Sequence, residues 1–161
     1  MNTSKDASFT DFVAMDNCLH PILSLSLVSS LYFVTMEAFF DKLRAQIDDK
    51  TQFNVNDKHC NLWIGARTSN GLYGRKQVTF PDGNRKLLRI SRVVQMVKGH
   101  MLYVPAVDEQ GHIIEMSHLC HNTLCVNPDH LILELRDTNA ERKHCKNQGF
   151  CTENHNPLCI M

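Results

Sequence analysis

Apolar positions change their period twice along this chain. In the segment MEAFFDKLRAQIDDK, which opens at Met36, Phe39, Phe40, Leu43 and Ile47 recur at helical spacing, and Asp41, Lys42, Arg44 and Asp48 fall on the other side. That pattern predicts an amphipathic helix packed on a core. Residues 1–35 show no clear period and are expected to form a weakly structured N-terminal extension. From Phe53 to Val104, Gly65, Gly71, Gly74 and Pro81-Asp82-Gly83-Asn84 punctuate short apolar runs, which predicts strands. The Pro-Asp-Gly-Asn turn pairs Gln77–Phe80 with Arg85–Ser91 as a hairpin. Arg85, Leu87, Arg89 and Ser91 then share one face of its second arm, with Lys86, Leu88, Ile90 and Arg92 on the other. Val93–Val97 reads as more strand or as a short helix, and Met101–Val107 as another strand. The last third holds two strands, His112–Met116 and Asp129–Leu135, then a helix capped by Asp137 or Thr138 and running to about Lys143. Beyond Cys145 the chain is polar, has almost no period, and needs a staple to hold any shape.

Composition turns that staple into chemistry. Among 161 residues there are seven cysteines and nine histidines. An odd count cannot pair completely in disulfides. Five cysteines, Cys120, Cys125, Cys145, Cys151 and Cys159, lie in the last quarter among His118, His121, His130, His144 and His155. Alternating Cys and His is a zinc-ligand composition and points to a reducing intracellular compartment. No apolar run is long enough to cross a membrane. Pro21–Val34 is Ser-rich and preceded by acids, unlike a signal peptide.

The formal charge is zero, but it is unevenly spread. Residues 58–100 carry nine basic side chains against Asp82 alone, a net +8, while the flanking segments carry −4 each. A basic middle in a neutral chain is the footprint of a surface for a polyanion. An antiparallel ribbon bearing Arg75, Lys76, Arg85, Lys86 and Arg89 has the shape and charge to enter a DNA major groove.

Two ligand sets stand out. Cys120-x4-Cys125-x4-His130 supplies three ligands for one tetrahedral zinc, with Cys60, His59 and His121 as candidates for the fourth. Cys145-x5-Cys151-x3-His155-x3-Cys159 is a complete Cys3His set in fifteen residues. A closed zinc has no open position to activate water, so catalysis needs other groups. His118 ends a strand just before the first set, and Asn139 sits in the first turn of the last helix. Strand, zinc loop, strand and helix make a ββα unit that offers an imidazole base and a hard oxygen ligand, the pair that phosphodiester hydrolysis requires.

Ser117–Cys125 (SHLCHNTLC), then Asn127-Pro128 and Asp129-His130-Leu131, resembles the His-Cys box homing endonucleases of the ββα-metal superfamily. The resemblance implies an α+β fold with small antiparallel sheets, a DNA-reading ribbon and a ββα-metal unit stapled by two structural zinc sites. It implies one endonuclease domain at 36–161, with the ribbon at 58–104, the catalytic unit at 112–143 and a second zinc loop at 145–159. Residue by residue, it makes His118 the general base and Asn139 the ligand of a catalytic Mg²⁺. Cys60, Cys120, Cys125 and His130 become the first zinc site; Cys145, Cys151, His155 and Cys159 become the second. Arg85 matches the family's arginine at the cleaved phosphate, with Arg89 and Ser91 following it as DNA contacts. Leu87 stands where the family has a polar base reader. The implied activity is site-specific double-strand cleavage of DNA by a nuclear homodimer. The family's dimerisation tail after the last ligand has no counterpart before Met161, and the helix at 36–49 is the candidate substitute. Between Cys151 and His155 this chain has three residues where the family pattern has one.

Two other readings account for less. A zinc-stabilised DNA-binding module without cleavage leaves His118 and Asn139 unexplained. A zinc-stapled protein-interaction domain leaves the basic ribbon unexplained as well.

Overall fold

The computed structural model describes residues 25–54, 58–151 and 155–161. The first helix, α1, spans Leu25–Asp48. Its C-terminal half buries Phe40, Leu43 and Ile47, the apolar stripe of the sequence. The helix begins eleven residues ahead of Met36, inside the segment expected to be weakly structured. Tyr32, Phe33 and Val34 there are exposed. Exposed apolar residues such as these follow no core-facing period, so the pattern did not reveal the helix. The expected extension at 1–24 lies outside the described residues.

Thr35 to Met161 form one compact unit, whose described residues build three two-stranded antiparallel sheets. In the first, β1 (Thr51–Asn54) pairs with β2 (Cys60–Trp63), Asn54 opposite Cys60. The second is the expected hairpin: β3 (Arg75–Thr79) pairs with β4 (Arg85–Arg89), Thr79 opposite Arg85 across the turn. Gly83 takes a φ of 82° in that turn, where a side chain would be strained. The third pairs β5 (Ile114–His118) with β6 (Leu131–Leu135) in register from Ile114–Leu135 to His118–Leu131.

Helix α2 (Ile90–Gly99) follows β4 without a loop. Ile90, Val93, Val94 and Val97 all face the core, so the segment left between strand and helix is a helix. Met101–Val107 forms no strand; only Val107 bridges to Ile113. Val104 is nevertheless buried and supplies the apolar signal. The last helix, α3, spans Arg136–Gln148, beyond the end expected near Lys143. No side chain caps its start, which follows Leu135 directly, and Gly149 (φ 78°) ends it. Burial of Arg142 and Cys145 carries the helix through a stretch of low apolar content.

One core joins these pieces: Phe40, Leu43, Ile47, Trp63, Val78, Ile90, Val93, Val94, Val97, Val126 and Leu131. Gly74 closes it tightly, because a Cβ there would lie 2.5 Å from both Ile90 and Trp63. The architecture is α+β, and no described helix is long and apolar enough to cross a membrane.

Phe40 is 2 % exposed and packs edge-on against Phe39. Phe40→Ala should cost about 3–5 kcal/mol of stability, read by urea unfolding of the metal-loaded protein. A loss below about 1 kcal/mol would mean that α1 does not contribute to the core.

Candidate metal centres and active-site cleft

Local structure brings the first ligand set together from three places. Cys60 opens β2, Cys120 and Cys125 lie on the loop after β5, and His130 ends a single 3-10 turn, Pro128–His130, just before β6. That turn is capped by Asn127, whose side chain accepts from the Asp129 backbone N–H at 3.0 Å. His121 adopts the left-handed region, φ 59°, and turns the loop. Its N–H reaches the His118 carbonyl at 2.9 Å. The β1–β2 sheet is laced to the loop by Trp63 N–H to Leu124 O at 2.9 Å and Val126 N–H to Asn61 O at 2.7 Å.

All four ligand atoms lie within 4.8 Å of one another, and all four residues are buried. A tetrahedral zinc with Zn–S of about 2.3 Å and Zn–N of about 2.0 Å demands S···N edges near ~3.6 Å and S···S edges near ~3.8 Å. His130 Nδ1 is 3.5 Å from Cys125 Sγ and 3.7 Å from Cys60 Sγ. Of the other candidates for the fourth position, His59 is exposed and stacks on Phe53, and His121 is outside the cluster. Within the cluster the hydrogen bond with Cys125 holds the Cys120 thiol down at about 5, while the same contact with Cys120 pushes the Cys125 thiol up. Metal binding takes the proton from both.

The second set also gathers within 4.8 Å. Cys145 projects from α3; Cys151, His155 and Cys159 follow it. His155 Nδ1 lies 3.6 Å from Cys145 Sγ, 3.5 Å from Cys151 Sγ and 3.8 Å from Cys159 Sγ, and the Cys145–Cys151 sulfurs are 3.9 Å apart. These are again edges of a zinc-sized tetrahedron. The two clusters fit two zinc sites, and none of the six described cysteines is in a disulfide.

Beside the first centre opens a cleft of about 750 Å³ lined by Arg89, Glu115, His118, Asn139, Lys143 and Lys146, among others. His118, at the end of β5, is 8 % exposed, and its Nε2 has no hydrogen-bond partner among the described residues. Burial, then the charge of Arg89, lowers its pKa to about 4. Asn139 donates its Nδ2–H to Glu115 Oε2 at 2.7 Å, and Arg136 Nε reaches Glu115 Oε1 at 3.2 Å. These bonds hold Glu115 below the usual carboxylate range, the Asn139 bond most strongly. With its nitrogen committed, the Asn139 amide keeps Oδ1 as an acceptor. An amide carbonyl oxygen is a hard donor of the kind that Mg²⁺ accepts.

The register sorts the basic ribbon residues. Arg75, Gln77, Thr79, Arg85, Leu87 and Arg89 share one face, and Lys76, Val78, Lys86 and Leu88 the other. Val78 is buried on that second side, so Lys76 and Lys86 do not join the arginine face; Lys86 lies over the Phe80 ring. Arg85 pairs with Thr79 at the turn, four residues or about 13 Å along the strand from Arg89. Arg89, stacked 4.3 Å over Tyr73, lines the cleft, and Arg85, the arginine that the resemblance puts at the cleaved phosphate, is not among its lining residues. Ser91 is 3 % exposed in the first turn of α2 and lies off the ribbon. Strand alternation breaks at Ile90, where the chain turns helical.

Residues 74–161 match the family described as the zinc-binding loop region of homing endonuclease. That is more than half of the chain. The chain belongs to this family. Comparison with curated proteins gives no match, and comparison with solved structures gives none. Membership supports a nuclease or DNA-binding role, and the two clusters fit the zinc-binding character of the family.

Two polar residues of the site escaped the sequence reading. Glu115 alternates within a strand like any exposed acid, and nothing marks its partner Asn139 twenty-four residues on. Arg142 is 1 % exposed and binds Glu134 through Nε at 2.8 and 2.9 Å. Its position in a polar helix resembles a solvated face.

Native mass spectrometry should find two zinc ions per chain, and one in Cys60→Ser. Structural zinc contributes on the order of 10 kcal/mol, so the variant should also lose the β1–β2 contribution to its circular dichroism. Two retained zincs in Cys60→Ser would remove Cys60 from the ligand set.

Proposed function

We propose that this protein is a site-specific double-strand DNA endonuclease. The observation that carries the proposal is the convergence of His118, Asn139 and Arg89 on one cleft at the end of an arginine-faced ribbon.

In this mechanism the ribbon enters a groove of the duplex and Arg75, Arg85 and Arg89 meet phosphates or base edges. Arg89 holds the phosphate to be cut. His118 Nε2 accepts a proton from a water molecule, whose oxygen forms a new bond to phosphorus as the bond from phosphorus to the 3′-oxygen breaks. The products are a 5′-phosphate and a 3′-hydroxyl, the latter protonated from solvent. A divalent cation, Mg²⁺ by the oxygen donor set, would be held by Asn139 and supply charge stabilisation to the leaving oxygen. Glu115 fixes the Asn139 amide. The two zinc centres, closed by four protein ligands each, hold His118 and Asn139 in place without reacting. Two clefts are needed to cut two strands, so the proposal includes a homodimer. Nuclear location belongs to the same proposal and rests on the family resemblance.

His118→Ala should lower single-turnover cleavage by about 10²–10⁴-fold, with DNA affinity unchanged in gel shift. Equal loss of both would favour a DNA-binding module in which His118 is structural. Withholding Mg²⁺ from zinc-loaded protein should stop cleavage and leave the fold intact.

Arg89→Ala should lower the cleavage rate of bound substrate. Arg85→Ala should weaken binding and reduce the salt slope of log K by about 0.9 per lost phosphate contact. The reverse pattern would return the phosphate role to Arg85. Because the His118 pKa is lowered to about 4, the base stays neutral below the ordinary imidazole range. The acid limb of kcat/KM should therefore fall well under pH ~6.5. A rate that stayed flat down through pH 4 would exclude His118 as the base.

A further inference from the structure

Arg142 is the largest fully buried side chain among the described residues, and it is charged. Its Nε serves both oxygens of Glu134 at 2.8 and 2.9 Å, while Nη1 points the other way, to Cys159 Sγ at 3.5 Å. A buried arginine that only neutralised Glu134 would have no reason to aim its second nitrogen at a sulfur. Three thiolates, one neutral imidazole and Zn²⁺ sum to a net −1. The guanidinium therefore lies between two anions, the carboxylate and the sulfur face of the second metal centre.

Placement along α3 extends the point. Asn139, Arg142 and Cys145 are spaced three residues apart, so they form one stripe of the helix. The first bonds Glu115 and the second Glu134, and these two carboxylates are direct cross-strand partners in β5–β6. Like charges opposite each other repel. Each is answered from the same stripe of α3, whose next member is a ligand of the second centre.

We propose that Arg142 is the positioning residue of the second zinc centre. It donates to the Cys159 thiolate, balances the charge of the cluster, and so ties metal binding at Cys145, Cys151, His155 and Cys159 to the β6 strand of the catalytic unit. The inference concerns the metal centre alone and does not depend on DNA cleavage.

The test uses the full chain with zinc in both centres. Arg142→Met by itself leaves Glu134 buried without a partner and risks unfolding. The double variant Glu134→Leu with Arg142→Met removes both charges and should fold, because a buried ion pair is commonly replaceable by apolar groups. In it, competition against a chromophoric chelator should show one zinc held as in wild type and the other about 10–100-fold more weakly. Cobalt substitution should shift the thiolate charge-transfer band of one of two equivalents. Wild-type affinity at both centres in the folded double variant would overturn the proposal and leave Arg142 a partner of Glu134 only. A measurement on wild-type protein stands beside it: with ¹¹³Cd in both centres, the Arg142 guanidinium protons should couple to one cadmium. Absence of that coupling would equally overturn the contact with Cys159.

Discussion

Four soft ligands converging on a point near Cys60 are the constraint on which the rest of this molecule depends. Each of its three sheets has only two strands. A two-stranded sheet is marginal in water by itself. The first centre takes one ligand from the β1–β2 sheet and three from the loop joining β5 to β6, so it holds two of the sheets together. The backbone bonds from Trp63 and Val126 follow the same seam. His118 precedes Cys120 by two residues, so the staple that holds the sheets also anchors the candidate base.

The second centre acts on the other half of the unit. It takes Cys145 from α3, the helix that carries Asn139 six residues earlier. Between them Arg142 reaches back to β6. Asn139 and Arg142 thus dock α3 on the facing pair Glu115 and Glu134, one hydrogen bond and one ion pair. A buried ion pair adds little net stability, but losing one partner is expensive. The pair therefore favours one orientation of α3 over its neighbours.

The arginine face of the ribbon shows how local order is overruled. Alternation along Arg85–Arg89 was legible because a strand has a period of two. Its continuation to Ser91 was not, because the apolar residues Ile90, Val93, Val94 and Val97 demand a helix once they find the core. The same ambiguity hid which arginine meets the cleft. Period-two spacing puts Arg85 and Arg89 on one face equally, and only the tertiary structure shows that Arg89 lines the cleft.

The amino-acid sequence by itself determined the ligand sets, the hairpin turn, the α1 core stripe and the ββα order around His118 and Asn139. These are local: a ligand must be soft, a turn must tolerate Gly83, and a buried face must repeat with the helix. Tertiary structure gathered Cys60, which the sequence offered beside His59 and His121, with the first set, and it alone decided that Arg89 lines the cleft and that Glu115 and Arg142 bond Asn139 and Cys159. Those pairings join residues as many as seventy positions apart. A charged side chain has no period to announce its partner, and whether it is solvated or buried is settled only when the elements pack.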